Sequence, residues 1–155
     1  MTDRRQLLKH SATVAALMAA SGVLPRLAVA AGPAASKGAF QAKSMADVMK
    51  ALGLGAPAES KDVTITGPDI AENGAVVPVA VASGAAGVKH LMLLVEKNPN
   101  ALAALFNVTS DIEPNVSTRV KMGQSSNVYG VAVTDDGKVL FAQKEIKVTL
   151  GGCGG

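Results

Sequence analysis

The chain has 155 residues, 48% of them hydrophobic but only 3% aromatic, and a formal net charge of +3. That length fits one domain with a real core. With so few rings the core must be built from Val, Ala, Leu, Ile and Met, whose smaller buried areas hint that the domain leans on a partner. The positive charge belongs to the first thirty residues, where Arg4, Arg5, Lys9 and Arg26 outweigh Asp3. Residues 31–155 carry eleven basic and eleven acidic side chains. No basic run or aromatic interleaving is left there to track phosphates, which excludes nucleic-acid binding.

In chain order, Asp3-Arg4-Arg5-Gln6-Leu7-Leu8-Lys9 has the form of a twin-arginine export signal. A weakly hydrophobic, alanine-rich run comes next, over residues 12–24, and Ala28-Val29-Ala30 supplies a small-x-small cleavage site with the cut after Ala30. The run is too short and too rich in small residues for a permanent span. No cysteine near the cut could carry a lipid, so no membrane attachment is expected. Residues 1–30 therefore read as a signal peptide that places the mature protein in a bacterial periplasm.

Residues 31–43 read as a linker, flexible over 32–37. A helix begins after it. Ser44 is the expected N-cap, with Asp47 three residues on. Met45, Val48, Met49 and Leu52 fall on one face, Lys50 lies in the last turn, and Gly53 ends the helix. Its methionines at helical spacing are core packing before they are metal ligands.

From Asp62 the texture becomes short β-rich runs between turn signals. Strands are predicted over 63–66, ended by Gly67-Pro68, and over 76–81 after the tight-turn dipeptide Asn73-Gly74. Pro78 removes a ladder donor and predicts an edge or a bulge. Residues 90–95 read as a buried strand and 101–108 as extended. Residues 116–122 form a half-buried strand, because Val116, Thr118, Val120 and Met122 alternate with Ser117, Arg119 and Lys121. Residues 128–134 pair through Asp135-Asp136-Gly137 with a last strand over 139–150. There Leu140, Ala142, Ile146 and Val148 share a side that Lys144 interrupts, which predicts a bulge or edge exit. About seven strands and one leading helix point to an all-β fold over residues 44–150, an antiparallel β-sandwich.

Few groups here could carry chemistry. His90 is the single histidine after the signal, short of the three or four ligands a zinc site needs, and reads as an ordinary packed or hydrogen-bonded side chain. Asp135-Asp136 is explained by turn chemistry, and Glu72 by a solvated turn. No nucleophile-elbow serine, phosphate loop or haem-binding cysteine pair is present.

The exception is the C-terminus, Gly151-Gly152-Cys153-Gly154-Gly155, which holds the lone cysteine. Four glycines have no side chains to bury anything and lose most entropy on ordering. Cys153 is therefore expected to be an exposed thiol on a flexible arm. Five extended residues span at most ~17 Å, and a glycine-rich chain of that length has an r.m.s. extension of ~12 Å. No helix N-terminus, cation or metal adjoins Cys153 in sequence, and the Gly155 carboxylate opposes ionisation. The thiol is predicted to react slowly until a partner's site activates it. With one cysteine it cannot form a disulfide within the chain.

The terminal Gly-Gly-Cys-Gly-Gly, preceded by Lys144-Glu145-Ile146-Lys147-Val148-Thr149-Leu150, resembles the SoxY family, sulfur-carrier subunits of thiosulfate oxidation. So does the segment Ile70-Ala71-Glu72-Asn73-Gly74-Ala75-Val76-Val77-Pro78-Val79, and so does the export signal. The resemblance implies an immunoglobulin-like sandwich that pairs with a second one, SoxZ. It implies that Cys153 is the covalent attachment point for sulfur intermediates, and that Gly151, Gly152, Gly154 and Gly155 are the swinging arm. The haem-containing SoxAX, the hydrolase SoxB and the sulfane dehydrogenase SoxCD would be transient partners. The chain itself would be no enzyme and hold no cofactor beyond its covalent sulfur cargo. The competing reading is a structural module that dimerises through an interchain disulfide at Cys153. A maximally floppy tether gains little from such a staple, which argues against it.

Overall fold

The computed structural model describes residues 33–149. It opens with two helices where the sequence predicts one: α1 (Pro33–Phe40) and α2 (Met45–Leu52). The linker expected over 31–43 is thus helical across most of its length. Its anchor is Ala39, fully buried against the same cluster as Val48 and Met49. One small residue is a weak signal in sequence, so tertiary packing fixes this helix more than periodicity does. α2 forms as its punctuation demands. Ser44 is extended, and its Oγ accepts from the Asp47 N–H at 3.1 Å. Gly53 closes the helix in the left-handed region at φ 67°.

Among the described residues, nine strands come after the helices: β1 (Ala58–Glu59), β2 (Val63–Thr66), β3 (Ile70–Ala71), β4 (Val77–Ser83), β5 (Val88–Val95), β6 (Leu102–Asn107), β7 (Asn115–Val120), β8 (Ser126–Thr134) and β9 (Val139–Val148). The larger sheet runs β1-β9-β8-β5-β6, with β3 also beside β9, and the smaller runs β2-β4-β7. All seven expected strands are present. The two-residue β1 and β3 are additions too short to read from a pattern, and both pair with β9 in parallel, so the pairing is not antiparallel throughout.

Inward side chains of both sheets make one core. Val63, Val77, Val79, Val81 and Val120 meet Leu91, Leu93, Val95, Val128, Ala132 and Ile146. The far face of the larger sheet is covered by the helices, where Ala39, Val48 and Met49 pack on Met92, Leu94, Val131 and Val133. β5 is therefore buried on both faces, and Leu91-Met92-Leu93-Leu94-Val95 shows no alternation for that reason. The sheets approach closely at Gly130, where a Cβ would lie 2.7 Å from Val81 Cγ2.

Two local expectations are met only in part. β4 is the central strand of its sheet, but at Pro78 it is paired on one side alone, a local edge with no bulge. Pro78 is tolerated because the last rung with β2 is Thr66 opposite Ala80, so one side of Pro78 has no ladder to break. The β8–β9 register also runs without a shift from Val139 to Ile146, so Lys144 marks no bulge. Its ammonium instead reaches Asp69 Oδ1 at 2.7 Å. The predicted hairpin forms, with Gly137 at φ 83° and its N–H donating to Thr134 O at 3.1 Å.

Candidate functional site

The expected attachment point Cys153 and the arm residues Gly151, Gly152, Gly154 and Gly155 lie outside the described residues. What the structure defines is the place from which they leave: Thr149, immediately after β9. Two segments from distant parts of the chain hold that exit.

The first is the run from Asp69 to Gly74. Ile70 and Ala71 pair with Lys147 and Val148. The Lys147 N–H donates to Asp69 O at 3.0 Å, and the Thr149 N–H donates to Ala71 O at 3.1 Å. Asp69 is in turn tied to Lys144, whose ammonium holds the carboxyl below the ordinary carboxylate range, chiefly by hydrogen bonding and then by charge. Beyond β3 the chain turns at Asn73, whose Oδ1 accepts from the Ala75 N–H at 2.9 Å. This brings Gly74 against Val148, where its carbonyl accepts from the Met122 N–H at 2.7 Å. A Cβ at Gly74 would collide with the Met122 carbonyl oxygen and Val148 Cγ1. Glycine is needed here for close approach, since the turn has no positive φ.

The second segment precedes β8. Ser125 Oγ accepts from the Val148 N–H at 2.9 Å. Its loop is steadied by Asn98, which donates to Lys121 O at 2.7 Å and accepts from Gly123 N, and by Lys97, whose N–H donates to Ser126 Oγ. The last residues before the arm are thus clamped from both sides.

Other candidates behave as ordinary side chains. His90 Nδ1 and Asn107 Oδ1 pair at 2.9 Å on neighbouring strands. Asp136 bonds Lys138 at 2.6 Å and the Thr134 hydroxyl within its hairpin, and Glu72 is exposed in its turn. A hollow of about 400 Å³ on the helix side of the larger sheet is lined by Met45, Leu94, Tyr129 and Phe141, with Lys43, Glu96 and Gln143 among its polar members. Burial and then the Glu96 charge push the Tyr129 hydroxyl up from its ordinary value. The one serine in its lining, Ser44, is engaged as the N-cap of α2.

Sequence reasoning missed the clamp. Its visible signals were the Asn73-Gly74 turn and Lys144, a charge on the apolar side of β9, and neither names its partner in sequence.

A family model described as sulfur oxidation protein SoxY matches residues 48–153. The chain belongs to the SoxY family. The matched region begins in α2 and runs through Cys153. Among solved structures, the sulfur carrier protein SoxY from Chlorobium limicola f thiosulfatophilum matches with TM-score 0.59 and 34% identity, over 68% of this chain and 96% of that one. A superoxide reductase (neelaredoxin) from Ignicoccus hospitalis matches with TM-score 0.50 and 21% identity, over 56% of this chain and 80% of that one. That likeness is one of fold alone. No curated protein matches the chain.

Proposed function

We propose that this SoxY-family chain is a periplasmic sulfur carrier of thiosulfate oxidation, exported by the twin-arginine pathway, which holds intermediates covalently on Cys153. The observation that carries this reading is the family match extending through Cys153, five residues in sequence beyond β9, whose last residues are pinned on both sides. A fixed root and a glycine tether suit a thiol that visits other proteins. The two-sheet body, read as an immunoglobulin-like sandwich, is the docking platform and pairs with SoxZ.

In this reading SoxAX joins the outer sulfur of thiosulfate to Cys153 Sγ, with loss of the thiol proton and transfer of an electron pair to haem. SoxB then hydrolyses the terminal S–S bond with one water, releasing sulfate and leaving a persulfide. SoxCD oxidises that sulfane sulfur to a sulfonate, using water as the oxygen source and taking up the electrons. A second hydrolysis frees sulfate and restores the thiol. The chain contributes the attachment atom and its presentation, and the chemistry is done by partners. Tethering keeps each intermediate at high effective concentration for the next enzyme instead of losing it to diffusion.

Intact-mass analysis of the protein from thiosulfate-grown cells tests the proposal. Adducts of sulfur or thiosulfonate on the C-terminal peptide are expected. A population that is entirely free thiol, or entirely chain-to-chain disulfide, refutes the carrier reading, and the latter establishes the structural staple instead. Cys153→Ser should abolish thiosulfate-dependent electron release while leaving the fold and subunit pairing intact.

A further inference from the structure

We infer that the turn from Ile70 to Val76 is the surface on which the enzymes that act on Cys153 dock, through an apolar rim around the cleft that admits the thiol. The inference rests on the carrier reading and adds to it the place of contact.

The argument starts from the shortness of the leash. Cys153 lies four residues beyond Thr149, so its Cα can be no further than about 14 Å from that of Thr149. An enzyme that takes the sulfur into a cleft must absorb part of that length in the cleft itself. Its surface must therefore come down onto whatever surrounds Thr149.

This turn is one of the two segments beside Thr149, and unlike the Ser125 loop it carries exposed large hydrophobic side chains. Ala71 O accepts the Thr149 N–H, Ile70 pairs with Lys147, and Gly74 is packed on Val148. Ile70 is 58% exposed and Val76 50% exposed. Both belong to the four large hydrophobic side chains left in water among the described residues, the others being Phe40 and Ile112. A single exposed aliphatic residue needs no explanation. Two in one seven-residue turn that pairs with the end of β9 are the apolar groups a surface brought down onto Thr149 would meet.

Ile112 provides an internal control. It is also 58% exposed, but it lies in the loop before β7, next to Pro114, whose carbonyl accepts from Ser83 N. Ser83 ends β4, whose first residue, Val77, comes directly after the turn. The six steps of that strand separate the two ends by about 20 Å, beyond the reach of an enzyme rim seated on Thr149.

The test uses the full mature chain with any subunit that purifies with it, thiosulfate, and the haem enzyme that conjugates it. Carrier concentration is varied for the unsubstituted protein, for Ile70→Asp with Val76→Asp, and for Ile112→Asp. The double variant should raise KM for the carrier about tenfold with kcat within twofold, while Ile112→Asp changes neither. The rate at which Cys153 reacts with a small disulfide reagent should stay the same in all three, since nothing about the thiol itself is altered. An unchanged KM in the double variant overturns the proposal, as does an equal rise in Ile112→Asp. Loss of subunit pairing in the double variant also overturns it, by assigning the patch to the paired subunit.

Backbone hydrogen exchange on the unsubstituted protein is independent of any folding defect. Added enzyme should slow exchange over 70–76 and leave 108–114 alone, and the reverse pattern refutes the assignment. If the unsubstituted chain takes up no sulfur from thiosulfate, the carrier reading has failed and the docking surface falls with it. If it loads normally and the double variant loads equally well, only the docking surface is lost.

Discussion

Gly74 and Val148 touch across seventy-four residues of sequence, so closely that a β-carbon on Gly74 would stand 2.8 Å from Val148 Cγ1. This contact joins the turn after β3 to the end of β9. Gly74→Ala should therefore destabilise the fold by ~1–3 kcal/mol, the usual cost of overpacking, because the obstructing Met122 carbonyl is backbone and cannot swing aside. Denaturant midpoints check this. A change of only a few tenths of a kcal/mol would mean that the turn yields freely and is no clamp.

Ser125 carries the opposite jaw. Ser125→Ala removes the acceptor for the Val148 N–H and should cost about 1 kcal/mol. The loss should be local, with amide exchange at Val148 and Thr149 accelerating more than exchange in β5. Uniform acceleration along the chain would place the effect in global stability instead.

Ser44 makes a reciprocal cap with Asp47, accepting from its N–H at 3.1 Å and donating to its Oδ2 at 2.7 Å. Ser44→Ala should lower stability by ~1 kcal/mol, while Ser44→Asn, which can both accept and donate, should keep most of it. Equal losses in the alanine and asparagine variants would show that the cap is incidental.

Acid sensitivity has a defined source in the β8–β9 hairpin. Hydrogen bonding from Lys138, and then from the Thr134 hydroxyl, lowers the Asp136 carboxyl from 3.8 to about 2. A carboxylate whose folded pKa is depressed stabilises the fold above its unfolded pKa, and that stabilisation fades as pH falls towards the folded value. The Asp136→Asn protein should be the weaker of the two at pH 7 and should converge with the unsubstituted protein between pH 4 and pH 2. Parallel urea midpoints across that window would contradict the assignment. Asp69 is shifted the same way by Lys144 and should add to the same limb.

The body of this fold was readable because its strands report their burial. Alternation along β7 marks a strand with one wet face, and the unbroken apolar run of β5 marks one with none. The helix from Met45 announces both its ends. What sequence could not supply were contacts made by backbone alone. β1 and β3 are two residues each, and nothing in Ala58-Glu59 or Ile70-Ala71 distinguishes a rung from a loop. α1 depends on the buried Ala39, whose small side chain has little pattern to display. The exit clamp belongs to the same class. Asn73-Gly74 was legible as a turn, but its glycine serves a close approach and not a hairpin. Lys144 was legible as an anomaly, and only the fold could show that it meets Asp69.

β9 is bonded to β8 on one side and to β1 and β3 on the other, and it ends at Val148. The last described residues of the strand are thus held by partners brought from the turn after β3 and from the loop before β8, so a disturbance at either is felt at Val148 and Thr149.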